Sequence, residues 1–371
     1  MIQALRLALG TASALGFARF AYGLLLPAMR EDLHWSLAQA GAMNTANGLG
    51  YLIGALVTAA VVRRLGTAAA FRWGMALTAV ALAATALTGD YAALLVLRTA
   101  AGITGAVVFI AGGVIAARSP SRGAIPVYFA GSGLGIVVSG AALPSLGDHW
   151  RAGWAGLGVA AGLATWLSWR AATDGDASTT ATGRARVLPL WRTAVAYLLF
   201  AAGYITYITF LSAYLAEQNA PVAQVALTWT VLGAAVIAVP TLWRRPLARW
   251  PRSTALAVML ALLAGASALA LVSPALPVVL ASAAGYGATF LGVPAAITSL
   301  IKRDIPPDDW TATLAAFTTL FAGGQTAGPW IAGVLADHTS TGATVAWTAV
   351  LCGAGAVIAL TARPPHPALR A

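Results

Sequence analysis

Long apolar runs alternate with short polar gaps along the whole sequence. A helix needs roughly 20 mainly apolar residues to cross a membrane, and many runs of this chain reach that length. The pattern predicts an all-α integral membrane protein with twelve transmembrane helices. The predicted spans cover residues 4–28, 37–61, 69–88, 91–117, 122–147, 152–170, 190–216, 221–243, 252–273, 275–301, 309–335 and 341–362.

The composition supports a membrane protein. Of the 371 residues, 59% are hydrophobic and 9% are charged, whereas a soluble domain has about 25% charged residues. The first apolar run begins like a signal peptide, but it ends in LLLPAMREDL and has no small-residue cleavage site. We therefore predict that it remains as an uncleaved first span.

The arginines predict the orientation of the chain, whose formal net charge is +11. If the N-terminus is cytoplasmic, every Lys and Arg except Arg19, Arg30, Arg98 and Arg151 lies on the cytoplasmic side. This asymmetry follows the positive-inside rule, so both termini are predicted in the cytoplasm. Nucleic-acid binding is not predicted, because it needs basic residues clustered on a soluble surface.

The two halves of the sequence share landmarks at a single offset of 185 residues. We interpret this offset as a duplication of six spans. The N-terminal half covers residues 1–170, and the C-terminal half covers 190–371. Residues 171–189, which include the polar stretch ATDGDASTTATGRAR, form a cytoplasmic linker. Two such halves with a site between them are typical of secondary transporters. The matched pairs include Tyr22 and Tyr207, Arg64 and Arg249, Arg118 and Arg303, and Pro144 and Pro329.

Three stretches resemble the major facilitator superfamily. In the fourth span, LLVLRTAAGITGA (94–106) has an arginine followed four residues later by glycine, and the eleventh span contains GQTAGPWIAG (324–333). The opening GFARFAYGLLLPAMREDL (16–33) is similar to the YbfB/YjiJ-like bacterial branch. The resemblance implies a twelve-helix transporter with two halves in a bacterial inner membrane, and it does not imply a substrate.

One departure from the superfamily pattern concerns the loop after the second span. The family normally has an acidic residue there, but this chain reads VVRRLG, with Arg63 in the acidic position. Asp308 and Asp309 lie where the eleventh span begins. We predict that Arg63 or Arg64 pairs with these acids when the cytoplasmic side is closed. The alternative is that the acids cap the helix and the arginines only follow the positive-inside rule.

Two arginines and two asparagines are predicted to share one polar layer. A helix rises about 1.5 Å per residue, which places Arg19 and Arg98 in the central-to-outer part of the bilayer. Asn44 and Asn47 lie three residues apart on one helix face, at similar depth. A charge within a membrane is costly and usually marks a functional site. These four residues are therefore candidate ligand contacts.

The other half supplies aromatic candidates, because the offset places Tyr204 opposite Arg19. No Asp, Glu, His or Lys lies within a predicted span away from its ends, so either water or an anionic ligand must accompany the arginines. Arginine binds carboxylates through a planar, bidentate fork. We therefore predict alternating-access transport of a small organic anion, a carboxylate with an apolar or aromatic body. The candidate contacts in this half are Tyr204, Tyr207, Trp229, Tyr286 and Gln325.

Other interpretations stay open. Arg98 fits a superfamily-wide pattern, so a structural or energy-coupling role is about as well supported as ligand contact. The asparagines can join helices to one another, and the aromatic residues can be packing residues. The main alternative function is a drug or metabolite exporter of broad specificity. Exporters of cationic drugs commonly have an acid in the first span, where this chain has Arg19.

Enzymatic and ATP-driven functions are not predicted. The only lysine, Lys302, follows an isoleucine and not the glycine of a P-loop. A single cysteine, Cys352, excludes a cysteine metal cluster. We expect no cofactor, a small-molecule substrate, and a protein that works as a monomer. The histidines all fall in predicted loops or tails, at His34, His149, His338 and His366.

Overall fold

The structure is a computed structural model that describes residues 1–121, 123–174, 183–251 and 253–362. Every regular element in these ranges is a helix, which confirms the all-α prediction. Residues 175–182 of the predicted linker lie outside the described residues, as do Arg122 and Arg252, where two predicted spans begin.

Long helical segments follow the predicted spans, and their boundaries differ from the prediction by a few residues. We number them in chain order. They are α1 (Ile2–Asp32), α2 (Leu37–Leu65), α3 (Thr67–Thr85), α4 (Tyr91–Arg118), α5 (Ala124–Leu146), α6 (Trp150–Ser168), α7 (Leu188–Glu217), α8 (Val222–Arg249), α9 (Thr254–Val272), α10 (Leu276–Asp304), α11 (Trp310–Asp337) and α12 (Gly342–Leu360).

Ten of these segments are long and apolar enough to cross a membrane. The other two, α6 and α11, are of similar length but are richer in glycine, threonine and tryptophan. The count of twelve crossings and the cytoplasmic termini therefore stay predictions. We call the end of the bundle where α1 begins and α12 finishes the terminal side, and the opposite end the far side.

The first helix departs from the predicted regular span. Its middle part, Ala12–Phe20, is a π-helix, and the Ala21 amide donates to the Gly16 carbonyl five residues earlier, at 2.9 Å. Gly16 packs so closely on α5 that a Cβ would lie 2.5 Å from the Cα of Gly135. Short π segments are rare and frequently mark functional sites. Arg19 projects from this segment.

The tenth predicted span is one candidate crossing, Leu276–Asp304, but its helix is interrupted. Its two parts are Leu276–Gly287 and Gly292–Asp304. Pro294 has no N–H for the carbonyl four residues earlier, and its ring crowds that carbonyl, so the helix breaks just before it. The indole of Trp243 donates to the Ala288 carbonyl within the break, at 2.6 Å.

Helices α1–α6 pack mainly on one another, as do α7–α12. The two groups meet along α2 with α11, α5 with α8, and α1 with α7. Glycines allow close approach: a Cβ on Gly41 would lie 2.3 Å from the Pro329 carbonyl oxygen, and one on Gly133 would lie 2.7 Å from that of Gly233. Small residues commonly bring membrane helices together in this way. The packing fits two six-helix halves, whose exact boundaries stay a prediction.

Candidate functional site

Arg19 connects the two groups of helices. Its side chain is 3% exposed, and Nη2 donates to Oε1 of Gln325 on α11 at 2.7 Å. The hydroxyl of Tyr204 on α7 donates to the same oxygen at 3.0 Å. A single amide oxygen thus accepts hydrogen bonds from Arg19 and Tyr204, the two residues that the 185-residue offset matches.

This group of side chains lacks a negative partner. Among the described residues Arg19 makes no ion pair with an Asp or Glu. Arg19 Nε and Gln325 Nε2 are buried without hydrogen-bond partners, and a buried group left unpaired costs about 1–3 kcal/mol. Both atoms are donors. The missing partner is therefore an acceptor.

Aromatic rings surround these donors. The ring centre of Tyr51 lies 5.5 Å from the guanidinium carbon of Arg19. Tyr204 stacks on Phe200 with ring centres 4.8 Å apart, and it also stacks on Phe321 at 5.5 Å and Phe290 at 6.0 Å. Tyr51 and Phe321 are only half-buried. The donors therefore lie beside a cluster of aromatic side chains.

The sequence analysis missed four of these rings. Each lies four residues from a predicted candidate, which for three of them is one turn along the same helix face, while Phe290 follows Tyr286 into the break of α10. Helical spacing around the predicted residues would have found them. The missed residues and their predicted neighbours are Tyr51 and Asn47, Phe200 and Tyr204, Phe290 and Tyr286, and Phe321 and Gln325.

Arg98, like Arg19, makes no ion pair among the described residues, and its Nε and Nη2 are buried without hydrogen-bond partners, but its contacts differ from those of Arg19. It is 1% exposed, and Nη1 donates to the Ala18 carbonyl at 2.6 Å. Its guanidinium carbon lies 5.1 Å from the ring centres of both Tyr22 and Trp154. Asn47 donates to the Arg98 carbonyl at 3.2 Å. These partners all come from α1, α2 and α6, so the first six helices enclose Arg98.

Asn44 and Trp229 make polar contacts of different kinds. The Asn44 amide donates to the hydroxyl of Thr209, which joins α2 to α7 across the interface. Trp229 donates from its indole to the hydroxyl of Ser212 at 2.9 Å, within the second group of helices. Asn44, like Arg19, therefore makes a hydrogen bond between the two groups of helices. Trp229 makes one between α8 and α7, within the second group.

Tyr207 and Tyr286 form a stacked pair next to Tyr204. Their rings stack with centres 4.1 Å apart, and the hydroxyls of Tyr207 and Ser282 are 2.7 Å apart. The Tyr286 hydroxyl donates to the backbone carbonyl of Tyr204. Both tyrosines are fully buried. Of the aromatic candidates, Tyr204 therefore shares Gln325 with Arg19, Tyr286 holds the backbone carbonyl of Tyr204, and Tyr207 stacks on Tyr286.

On the terminal side, Asp309 binds the segment that leads into α7. Its carboxylate accepts from the Arg184 amide at 2.7 Å and from Arg186 Nε at 2.7 Å. These hydrogen bonds, with the charge of Arg186, hold the pKa of Asp309 below its usual range. The contact ties the start of α11 to the chain before α7.

The predicted pairing of Arg63 or Arg64 with Asp308 or Asp309 is not formed in this structure. Asp309 is already paired with Arg186. Arg63 and Arg64, at the end of α2, are exposed, as is Asp308.

The far ends of the same two helices are joined. Asp337, the last residue of α11, accepts from the Leu37 amide at 2.7 Å and the Ala38 amide at 2.9 Å. A carboxylate at a helix N-terminus satisfies free amides and suits the helix dipole. Nearby, Arg30 and Glu217 lie 3.8 Å apart and also connect the two groups of helices. The predicted pairing of Arg63 or Arg64 with Asp308 or Asp309 concerns a closed terminal side and stays a prediction, while the polar contact between α2 and α11 in this structure lies at the far side.

Two helical bundles with buried polar side chains between them are typical of secondary transporters. The chain belongs to the family described as "Uncharacterised MFS-type transporter YbfB", whose family model matches residues 11–363. This result confirms the resemblance drawn from the sequence.

Solved structures share the fold. Two crystal structures of the nucleoside transporter NupG, one of them a mutant form, superpose with TM-scores of 0.74 at 13% sequence identity. The alignment covers 96% of this chain and 98% or 97% of the other. At this identity the similarity concerns the fold alone. No curated protein matches the chain in sequence.

Proposed function

We propose that this protein transports small organic anions by alternating access, and that the anion binds at Arg19. The observation that carries the proposal is the buried guanidinium of Arg19, which reaches across the interface to a neutral amide and has no acidic partner among the described residues. An anion entering this site would supply the missing acceptor.

A carboxylate fits the donors best. The Arg19 guanidinium presents a fork that matches two carboxylate oxygens. Gln325 Nε2 is buried without a hydrogen-bond partner. The Tyr204 hydroxyl donates to the other polar atom of the same amide, Gln325 Oε1. A bound carboxylate would take up donors from both groups of helices. Ligand binding would thereby be coupled to the way the halves meet.

The rings favour a ligand with a flat, apolar body. Phe200, Phe290 and Phe321 stack on Tyr204, and the ring centre of Tyr51 lies 5.5 Å from the guanidinium carbon of Arg19. Aromatic ligands gain stacking as well as burial on such surfaces. We therefore take benzoate and phenylacetate as probes.

The state of the bundle supports access from the terminal side. The far ends of α2 and α11 are closed by Asp337, while Arg63 and Arg64 lie exposed at the other end. In a transporter with a site between two halves, closure at one end accompanies access from the other. We propose twelve crossings of a bacterial inner membrane with both termini in the cytoplasm, so that this state opens inward.

Two competing ligand classes make distinct predictions. A lipophilic cation, the substrate of many exporters, would be repelled by Arg19. A nucleoside, the ligand named for the similar NupG structures, would stack on the rings but would leave the charge of Arg19 unpaired. Both classes are therefore disfavoured by the same arginine.

The experiment is a thermal-shift screen on the purified protein, because a ligand that binds the folded state raises its apparent stability. The ligands are benzoate, phenylacetate, inorganic phosphate, uridine and a lipophilic cation. The variants are Arg19→Gln and, as a matched control on the same helix, Arg6→Gln, whose side chain is exposed. We expect the carboxylates to stabilise wild type and Arg6→Gln but not Arg19→Gln. Stabilisation by uridine or by the cation in all three proteins would contradict the proposal.

A further inference from the structure

We propose that the terminal-side end of α8 binds an anionic phospholipid. The binding surface consists of Arg244, Arg245 and Arg249 in the last turns of this helix, together with the exposed side chain of Leu242 nearer the middle of the span. The ligand is a lipid of the surrounding membrane and not the transported anion. The proposal therefore does not depend on the function proposed for Arg19.

Helix α8 is longer than a membrane crossing needs. It has 28 residues, from Val222 to Arg249, and a rise of about 1.5 Å per residue gives a length of about 42 Å. The hydrocarbon core of a bilayer is about 30 Å thick. Because the helix begins at the far side, its last turns extend into the headgroup region at the terminal side. The three arginines lie in these turns.

One face of α8 changes from apolar to basic at this depth. Leu242, Arg245 and Arg249 are separated by three and four residues, which places them on the same helix face. The side chain of Leu242 is 53% exposed, and both arginines are exposed. An exposed leucine on a membrane helix faces the acyl chains. A lipid beside Leu242 therefore has its headgroup next to the two arginines.

The arginines of this surface have no acidic partner among the described residues, since neither ion pair found there involves them. Three acids lie at the terminal side of the second group of helices. Asp309 is paired with Arg186, Asp304 is buried, and Asp308 is exposed. Guanidinium groups bind phosphate oxygens through parallel hydrogen bonds. A phosphodiester with a net negative charge complements this surface, whereas a zwitterionic headgroup brings a cation of its own.

Helix α10 ends at the same place. Arg303, near its end, donates to the Leu247 carbonyl at 3.2 Å and to the Trp250 carbonyl at 3.1 Å, so its charge lies over the C-terminus of α8. Trp250 is 37% exposed, and its ring packs edge-to-face on Trp243 with centres 6.2 Å apart. Tryptophan is enriched where a membrane meets water, which agrees with a headgroup at this level. A lipid bound here contacts the junction of α8 and α10.

The test measures lipid affinity by native mass spectrometry of the purified protein, with phosphatidylglycerol as the anionic lipid and phosphatidylcholine as the zwitterionic one. Each arginine beside an anionic headgroup contributes about fivefold in affinity. The triple variant Arg244→Gln, Arg245→Gln and Arg249→Gln should therefore bind phosphatidylglycerol about 100-fold more weakly. Arg245→Gln alone should bind it about fivefold more weakly. Affinity for phosphatidylcholine should not change.

The matched control removes three other exposed arginines at the same end of the protein, by Arg6→Gln, Arg63→Gln and Arg64→Gln. It should keep the wild-type affinity for phosphatidylglycerol. An equal loss in this control would overturn the proposal, because it would describe a general attraction of the basic end to anionic lipid. An unchanged affinity in the triple variant would overturn it as well.

Inorganic phosphate distinguishes a lipid headgroup from a soluble anion. A ligand of the folded state raises the melting temperature. We expect phosphatidylglycerol to raise it in wild type and in the control, with a smaller rise in the triple variant. If inorganic phosphate gave a rise that the triple variant lost, the site would take a soluble anion, and the proposal would be wrong. Loss of anion binding at Arg19 would leave all of these comparisons unchanged.

Discussion

Neutralising Asp337 should open the far side of the protein. In the structure its two carboxylate oxygens accept the Leu37 and Ala38 amides at the start of α2. Asp337→Asn keeps the shape and one acceptor oxygen. It removes one hydrogen bond and the negative charge at the helix N-terminus. These bonds join the two groups of helices, so their loss favours the state in which α2 and α11 separate.

The size of the effect follows from the contacts. A hydrogen bond to a charged group is worth about 1.5–3 kcal/mol, and the helix-dipole attraction adds about 0.3–1 kcal/mol. Asp337 is exposed, and solvent screening reduces such interactions at a surface. We take about 1.4 kcal/mol, which raises the fraction of molecules open on the far side about tenfold.

Cysteine labelling measures this fraction. Ala336 is 4% exposed and belongs to the hydrophobic cluster that includes Leu37 and Ala40. In a Cys352→Ser background, the alkylation of Ala336→Cys should be about ten times faster with Asp337→Asn. Asp32→Asn is the control, because Asp32 binds Trp150 within the first group of helices. A rate that does not change, or that rises equally in the control, would refute the latch.

Three further predictions concern other contacts. Gly41→Ala places a Cβ 2.3 Å from the Pro329 carbonyl oxygen, so it should also speed the alkylation of Ala336→Cys. An alkylation rate equal to that without Gly41→Ala would show that the two helices accommodate the added methyl group. Tyr204→Phe keeps the ring stack but removes the hydrogen bond to Gln325, so benzoate affinity measured by isothermal titration should fall about 2- to 10-fold. A larger fall would contradict this estimate and show that the substitution also disturbs the stacked rings. The lowered pKa of Asp309 means that its carboxylate stabilises the fold above the ordinary carboxyl pKa of about 3.9 and loses that effect as the pH falls through the lowered value. Asp309→Asn should therefore reduce the melting temperature equally at pH 6 and pH 8, and a difference between those values would contradict the assignment.

The positions of the helices were predictable because hydrophobic length alone sets where a membrane helix can lie. The two departures have different causes. The π segment of α1 follows the close approach of Gly16 to Gly135, which involves residues far apart in sequence. The break in α10 had a local signal in Pro294, but proline is tolerated in many membrane helices.

The site was predictable in part. The charge of Arg19 within an apolar run, and the offset that matches it with Tyr204, indicated two residues that share Gln325 as partner. The sequence did not separate Arg19 from Arg98, because depth along a helix does not say which neighbours a side chain meets. It also did not predict that Asp337 caps α2, since an acid at a helix end has many possible partners.

The most direct test of the central claim is counterflow of labelled benzoate in proteoliposomes that contain the purified protein. Counterflow needs no assumption about energy coupling, because the unlabelled anion inside drives entry of the labelled one. We predict transient accumulation with wild type and Arg6→Gln, and only the background of empty liposomes with Arg19→Gln. Equal accumulation with Arg19→Gln, or counterflow of uridine in place of benzoate, would contradict the claim that an anion binds at Arg19.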